Sequence, residues 1–287
     1  MSGAPNDPLF PADAVERAAP GVVGLLAGGV PLSGVAWRED LVVTDEEALP
    51  EAEAVLVASG GDRREAVVIG RDPSTDVALL RVGGGGLAPA DLGAAPPRVG
   101  EAVFALGRRD GLPLAAAGIV SFAGPAWRSL RGGTVDARIE LDLVPPHGAE
   151  GGLAVGPDGR AFGMVVRAPR GRGLVIPTET IERVAAQLEA DGRIARGYVG
   201  LGLRPIRIDG GGRGLLVVNV TEGGPGERAG IRQGDIVTAL DGEAVHGMRG
   251  LMRALGPDRV NTAATLGFRR GGEPHEATVS IGERPAG

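Results

Sequence analysis

Short apolar runs broken by Gly, Pro and Asp fill the first two thirds of the chain. Between positions ~13 and 185 they fall at Gly21–Leu26, Gly34–Trp37, Asp40–Val43, Ala54–Ala58, Glu65–Val68, Val77–Val82, Ala102–Leu106, Ala115–Phe122, Ala137–Leu143, Ala161–Val166 and Gly173–Ile176. Many short Val/Leu/Ile-rich segments separated by turn residues predict a β barrel or sandwich. The period then changes. Ile181, Val184, Ala185 and Leu188 recur at helical spacing after a polar Pro177-Thr178-Glu179-Thr180 start, with Thr178 the expected N-cap and Gly192 the stop. Past Gly197 the strand pattern returns at Leu215–Val220, Ala264–Arg269 and His275–Ile281, with one helix at about Met248–Ala254.

Composition supports a turn-rich β chain. Of 287 residues 51 are Gly, and aromatic residues are few. The length allows two medium domains. There is no Cys, so disulfides are excluded. The 30 basic residues are all Arg, the net charge is −6 and no basic cluster occurs, which argues against nucleic acid as a partner. Met1–Pro8 lacks the basic and apolar parts of a signal peptide, and Gly21–Val30 is too short to span a bilayer. The sequence as given therefore reads as cytoplasmic without a membrane segment, or as extracytoplasmic if an export segment has been removed.

Two stretches carry the chemistry: Leu41-Val42-Val43-Thr44-Asp45-Glu46-Glu47-Ala48-Leu49 and Gly148-Ala149-Glu150-Gly151-Gly152-Leu153. With Asp72-Pro73-Ser74-Thr75-Asp76-Val77-Ala78-Leu79-Leu80 between them, they resemble the HtrA family of trypsin-fold serine proteases. There the first stretch usually reads T-N-A-H-V-V and the second G-N-S-G-G-P-L. The resemblance extends through Val67–Pro73, Val99–Gly107, Gly118–Ser121 and Gly173–Pro177. It implies a trypsin-like double β-barrel, with Glu47 at the His position, Asp76 at the Asp position and Glu150 at the Ser position. Gly148 and Ala149 fall on the former oxyanion loop. Acyl transfer needs a hydroxyl and a base to take its proton, so the expectation is a homologue that is not an enzyme, with no catalytic residue. Only His147, His246 and His275 supply imidazoles, and His147 lies on the oxyanion-type loop.

Three readings of the Glu pair stand side by side. Glu47 and Glu150 point to solvent in a shallow cleft; or Glu47, Asp76 and Glu150 converge, requiring a raised pKa, an Arg partner or a hard cation; or a carboxylate of the chain occupies the amides of Gly148–Glu150. No cofactor is expected, and metal binding at the three carboxylates is the minor alternative.

The second half contains Gly224-Pro225-Gly226-Glu227-Arg228-Ala229-Gly230-Ile231-Arg232-Gln233-Gly234-Asp235-Ile236-Val237-Thr238-Ala239-Leu240-Asp241-Gly242. This resembles the PDZ signature. Gly230 is the expected left-handed helix cap and Asp241-Gly242 a hairpin turn. The resemblance implies capture of a peptide C-terminus by strand addition, with Tyr198, Val199, Gly200 and Leu201 as the carboxylate loop. Leu201, Gly202 and Leu203 would form the pairing strand, and Met248, Leu251 and Met252 the apolar pocket for the last side chain. The expected organisation is an N-terminal segment 1–12, a barrel domain 13–185, a linker 186–196 and a PDZ domain 197–285. The expected role is that of an adaptor, chaperone or regulator binding polypeptide C-termini or unfolded protein, with a structural or assembly subunit as the alternative and an active serine peptidase as the less favoured one. Homotrimerisation through Pro8-Leu9-Phe10-Pro11, or assembly with an active HtrA paralogue, is compatible with the same resemblance.

Overall fold

In the computed structural model the described residues are 11–51, 55–59, 61–93, 96–168, 171–208 and 212–283. Pro8, Leu9 and Phe10 lie outside them, as does the Pro11 side chain, and with them the expected trimer contact. The chain divides into two units, Met1–Trp127 with Thr134–Ile194, and Arg128–Gly133 with Ala195–Gly287.

The first unit holds two closed six-stranded antiparallel barrels. One runs in the order Val22–Ala27, Val30–Ala36, Leu41–Asp45, Val77–Val82, Asp62–Asp72 and Val55–Ser59; the other in the order Arg138–Leu141, Gly173–Pro177, Ala161–Arg167, Leu153–Val155, Ala102–Arg109 and Leu112–Gly124. Closure removes free edges from both sheets. Burial explains the sequence pattern. Leu41–Asp45 is buried at all five positions, because Leu41 and Val43 pack between the barrels while Val42 fills the first barrel. A strand covered on both faces needs a continuous apolar run rather than alternation.

The helix Thr178–Asp191 seals the crevice between the barrels, with Ile181, Val184, Ala185 and Leu188 joining Leu79, Met164 and Ile176 in one core. Gly192 ends it in the left-handed region (φ 71°) and donates its N–H to the Leu188 carbonyl. Its start departs from expectation. Extended Pro177 occupies the N-cap position and Thr178 is the first helical residue, because the ladder of Gly173–Pro177 runs straight into the helix. Thr180 does the anchoring instead: its hydroxyl donates to the Asp136 carboxylate (2.7 Å) and accepts the Asp136 N–H (2.9 Å). Two further elements escape the periodicity: the helix Pro11–Ala18, whose core-facing residues are mostly Ala, and the strand Leu153–Val155, too short to alternate.

The second unit is a sheet in the order Leu201–Ile208, Gly212–Val220, Ile236–Leu240, Ala263–Arg270 and Glu273–Ser280, with short helices Pro225–Arg228 and Met248–Ala254. Gly230 (φ 78°) follows the first helix, and Asp241 and Gly242, both at positive φ, turn Ile236–Leu240 into Glu243–Ala244.

Candidate functional site

The two barrels frame a cleft of about 580 Å³ lined by Val30, Pro31, Leu32, Asp45, Glu47, Ala48, Asp76, His147, Glu150, Arg167, Ala168 and Gly171. Three of its carboxylates arrive from the end of a strand or from the turn after it. Asp45 closes the strand Leu41–Asp45, and Glu47 sits on the turn that follows, exposed at the rim. Asp76 ends the turn before Val77–Val82 in a left-handed conformation (φ 64°) that L residues seldom adopt.

That turn is built by a buried carboxylate. Asp72 is 1% exposed; its Oδ1 accepts the Ser74 N–H (2.9 Å) and hydroxyl (2.5 Å), and its Oδ2 accepts the Thr75 hydroxyl (2.6 Å). Asp76 so presented accepts the Glu47 N–H at 2.8 Å, and Asp45 accepts the Ala48 N–H at 2.8 Å. On the far side of the same turn, Arg71 donates to the carbonyls of Leu49 and Pro50 and pairs with Glu46 at 3.5 Å.

Asp45 is a functional candidate that the sequence reading missed. It is 3% exposed and hydrogen bonds carboxyl to carboxyl with Asp76. Burial foremost, then the charge of Asp76 and more weakly that of Glu150, push its pKa up to about 8, against the opposing pull of the Ala48 amide.

The loop 145–152 belongs to the second barrel. The Ser33 hydroxyl donates to the Gly148 carbonyl (2.6 Å) and the Ser33 N–H to the Glu150 carbonyl (2.9 Å), tying the loop to the first barrel. Glu150 does not point to solvent. Its Oε2 accepts the Gly148 N–H at 2.9 Å and its Oε1 receives Nε (3.0 Å) and Nη2 of Arg167. Burial works against the charge, but Arg167 and the loop amides outweigh it and hold the carboxyl below its usual range. A carboxylate of the chain thus lies on amides of the oxyanion-type loop.

Stability from Glu150 is present above its unfolded pKa and is lost as pH falls through the lower folded one. Replacing Arg167 with Met should therefore raise the Glu150 pKa, because burial then acts with less opposition. A carbon-detected carboxyl titration checks this, and an unmoved value refutes the assignment of Arg167 as the dominant partner.

The structure brings Glu47, Asp76 and Glu150 to one cleft, with exposed His147 beside them. Among the described residues no group of three His, Cys, Asp or Glu side chains is arranged to hold a metal ion.

In the second unit the strand Leu201–Ile208 stands at the edge of its sheet, paired with Gly212–Val220 and packed near the helix Met248–Ala254. Gly200 precedes it at φ 69°; the Val199 carbonyl accepts the Gly226 N–H and the Gly200 carbonyl the Thr221 N–H. Tyr198 pairs with Gly282, and its hydroxyl hydrogen bonds that of Thr221 at 2.8 Å. Val199 and Leu251 are core residues, whereas Leu201, Gly202, Leu203, Met248 and Met252 are half-buried.

Residues 32–164 match the trypsin-like peptidase domain family and residues 197–281 the PDZ domain family. A probable periplasmic serine endoprotease DegP-like of Rhizobium meliloti is 30% identical over 88% of this chain and 53% of its own length. The corresponding protein of Ectopseudomonas mendocina is 32% identical over 85% of this chain and 54% of its own. The crystal structure of the serine endoprotease from Yersinia pestis superposes with a TM-score of 0.69 at 26% identity, covering 99% of this chain and 100% of that one. The chain belongs to the HtrA family. The HtrA-type protease AlgW with tripeptide adds a second likeness, with a TM-score of 0.66 at 26% identity over 96% of this chain and 98% of that one.

This HtrA chain spans about half the length of the curated relatives it matches. Those relatives are named serine endoproteases, and that overturns the expectation of a protein that is not an enzyme. The physical reason is that Glu at two aligned positions removes one route of acyl transfer and says nothing of the other groups of the cleft, which include Asp45, Asp76 and the exposed His147. The cytoplasmic expectation likewise finds no support, since the relatives are named periplasmic; no helix among the described residues is long and apolar enough to cross a membrane.

Proposed function

We propose that this HtrA protein handles polypeptides by capturing their C-termini on its PDZ domain, in the periplasm that its relatives' names specify. The observation that carries the reading is the edge strand Leu201–Ile208 with the helix Met248–Ala254 beside it and the left-handed Gly200 at its start. An edge strand offers backbone groups to an incoming peptide, and a loop of amides can receive a terminal carboxylate. Tyr198–Leu201 is the carboxylate loop in this reading and Leu201–Leu203 the pairing segment. Met248 and Met252 line the pocket, with Leu251 as its floor, favouring a small or medium apolar last residue. The solved structure of the HtrA-type protease AlgW with tripeptide supports peptide handling in general.

A C-terminal peptide library presented to the full chain tests this. Micromolar binding that weakens at least about tenfold on C-terminal amidation is expected. Equal affinity for free and amidated peptides would sink it. The activity in the relatives' names is measured on the same preparation with quenched extended peptides, and turnover abolished by substituting Glu150 would assign it to the barrel cleft.

A further inference from the structure

We propose that Asp45 and Asp76 form a one-proton latch that holds the turn Glu46–Ala48, and with it one wall of the cleft, in place while the pair is singly protonated and frees it when the proton leaves. The pairing of the two side chains calls for a proton. Two carboxyl groups within hydrogen-bond reach repel when both are charged, and a hydrogen bond between them needs one O–H. Each partner also takes one of two consecutive amides, Asp76 that of Glu47 and Asp45 that of Ala48. Both bonds fix the same turn, and both Glu47 and Ala48 line the cleft.

Several of the groups around the pair are themselves acidic. Glu46 and Glu47 lie on the turn itself, with Glu46 paired to Arg71 of the strand Asp62–Asp72. From the second barrel come Glu150, whose charge bears on Asp45, and the exposed imidazole of His147. Arg167, which lines the same cleft, is engaged by Glu150. Asp72, behind the pair, is taken up by Ser74 and Thr75.

With the shared proton retained up to about pH 8, the latch is closed at neutrality and opens in the alkaline range. The device is independent of peptide capture by the PDZ domain. It makes the shape of the barrel cleft depend on external pH.

Amide hydrogen exchange on the full chain, followed from pH 6 to 9, tests the latch. After correction for intrinsic exchange, the protection of Glu47 and Ala48 should fall up to about tenfold per pH unit once the proton is released. Asp45→Asn keeps an acceptor for Ala48 and supplies a permanent N–H to Asp76, so protection of the same amides should become independent of pH. Protection equally flat in wild type overturns the proposal. A carboxyl titration of the wild-type chain guards against a variant that fails to fold: if Asp45 and Asp76 both titrate near the ordinary value of about 4, no proton is shared at neutrality and the latch does not exist.

Discussion

Replacing Gly152 with Ala should destabilise the barrel unit by about 3 kcal/mol, the upper scale of a forced backbone displacement in a close-packed interior. A methyl group there would stand 1.9 Å from the Leu106 carbonyl oxygen and 3.0 Å from that of Ala149. Both obstacles are backbone, so no side-chain rotation relieves them. Neither backbone is free to retreat. Leu106 is paired with Leu153 across the second barrel, the Gly152 N–H donates to Ala149, and the Gly152 carbonyl accepts the Val165 N–H at 2.8 Å. The same displacement would pull on the loop that places Glu150. Tryptophan fluorescence during urea unfolding reads the effect, because the chain's two Trp, Trp37 and Trp127, both belong to the barrel unit. Gly83→Ala serves as control, its nearest obstacle being 3.7 Å away at ordinary backbone φ. A midpoint shift no larger for Gly152→Ala than for the control would refute the steric argument.

Asp72→Ala is the second large effect, with about 3 kcal/mol expected from buried donors deprived of their acceptor. The residue is almost fully buried and collects the Ser74 N–H and the hydroxyls of Ser74 and Thr75, both of which are themselves buried. Its loss should also reach the site, because the turn it ties holds Asp76 at φ 64°, and Asp76 in turn holds the Glu47 amide. Asp72→Asn retains one acceptor oxygen for the Ser74 N–H and should cost clearly less. Urea unfolding together with the chemical shift of the Glu47 amide distinguishes the cases. Equal losses for Ala and Asn, or an unmoved Glu47 amide in Asp72→Ala, would show that Asp72 does not position the site.

The sequence by itself determined the architecture. Strands covered on both faces must be continuous apolar runs, as Leu41–Val43 and Val77–Leu80 are, and the punctuation between such runs places the turns. Helical spacing marked Ile181–Leu188, and Gly192, Gly230 and Asp241-Gly242 stood where left-handed backbone was needed. The cleft positions Glu47, Asp76 and Glu150 were legible from local motifs, because each motif is also a local structure: a strand end, a tight turn, a glycine loop.

Only the tertiary structure decided what those side chains do. Asp45 lies two residues from Glu47, yet its character comes from burial and from Asp76 on another strand connection, and neither is written near it in the chain. Arg167 meets Glu150 because Leu153–Val155 and Ala161–Arg167 pair across the second barrel, which turns a seemingly solvent-facing carboxylate onto the Gly148 amide. Thr178 illustrates the converse: a good capping residue in sequence became the first helical position because the preceding ladder fixed where the helix begins. Local backbone preference is set by neighbours in the chain, and the sequence records it directly. The charge state and partners of a buried group are set by atoms that folding brings from elsewhere.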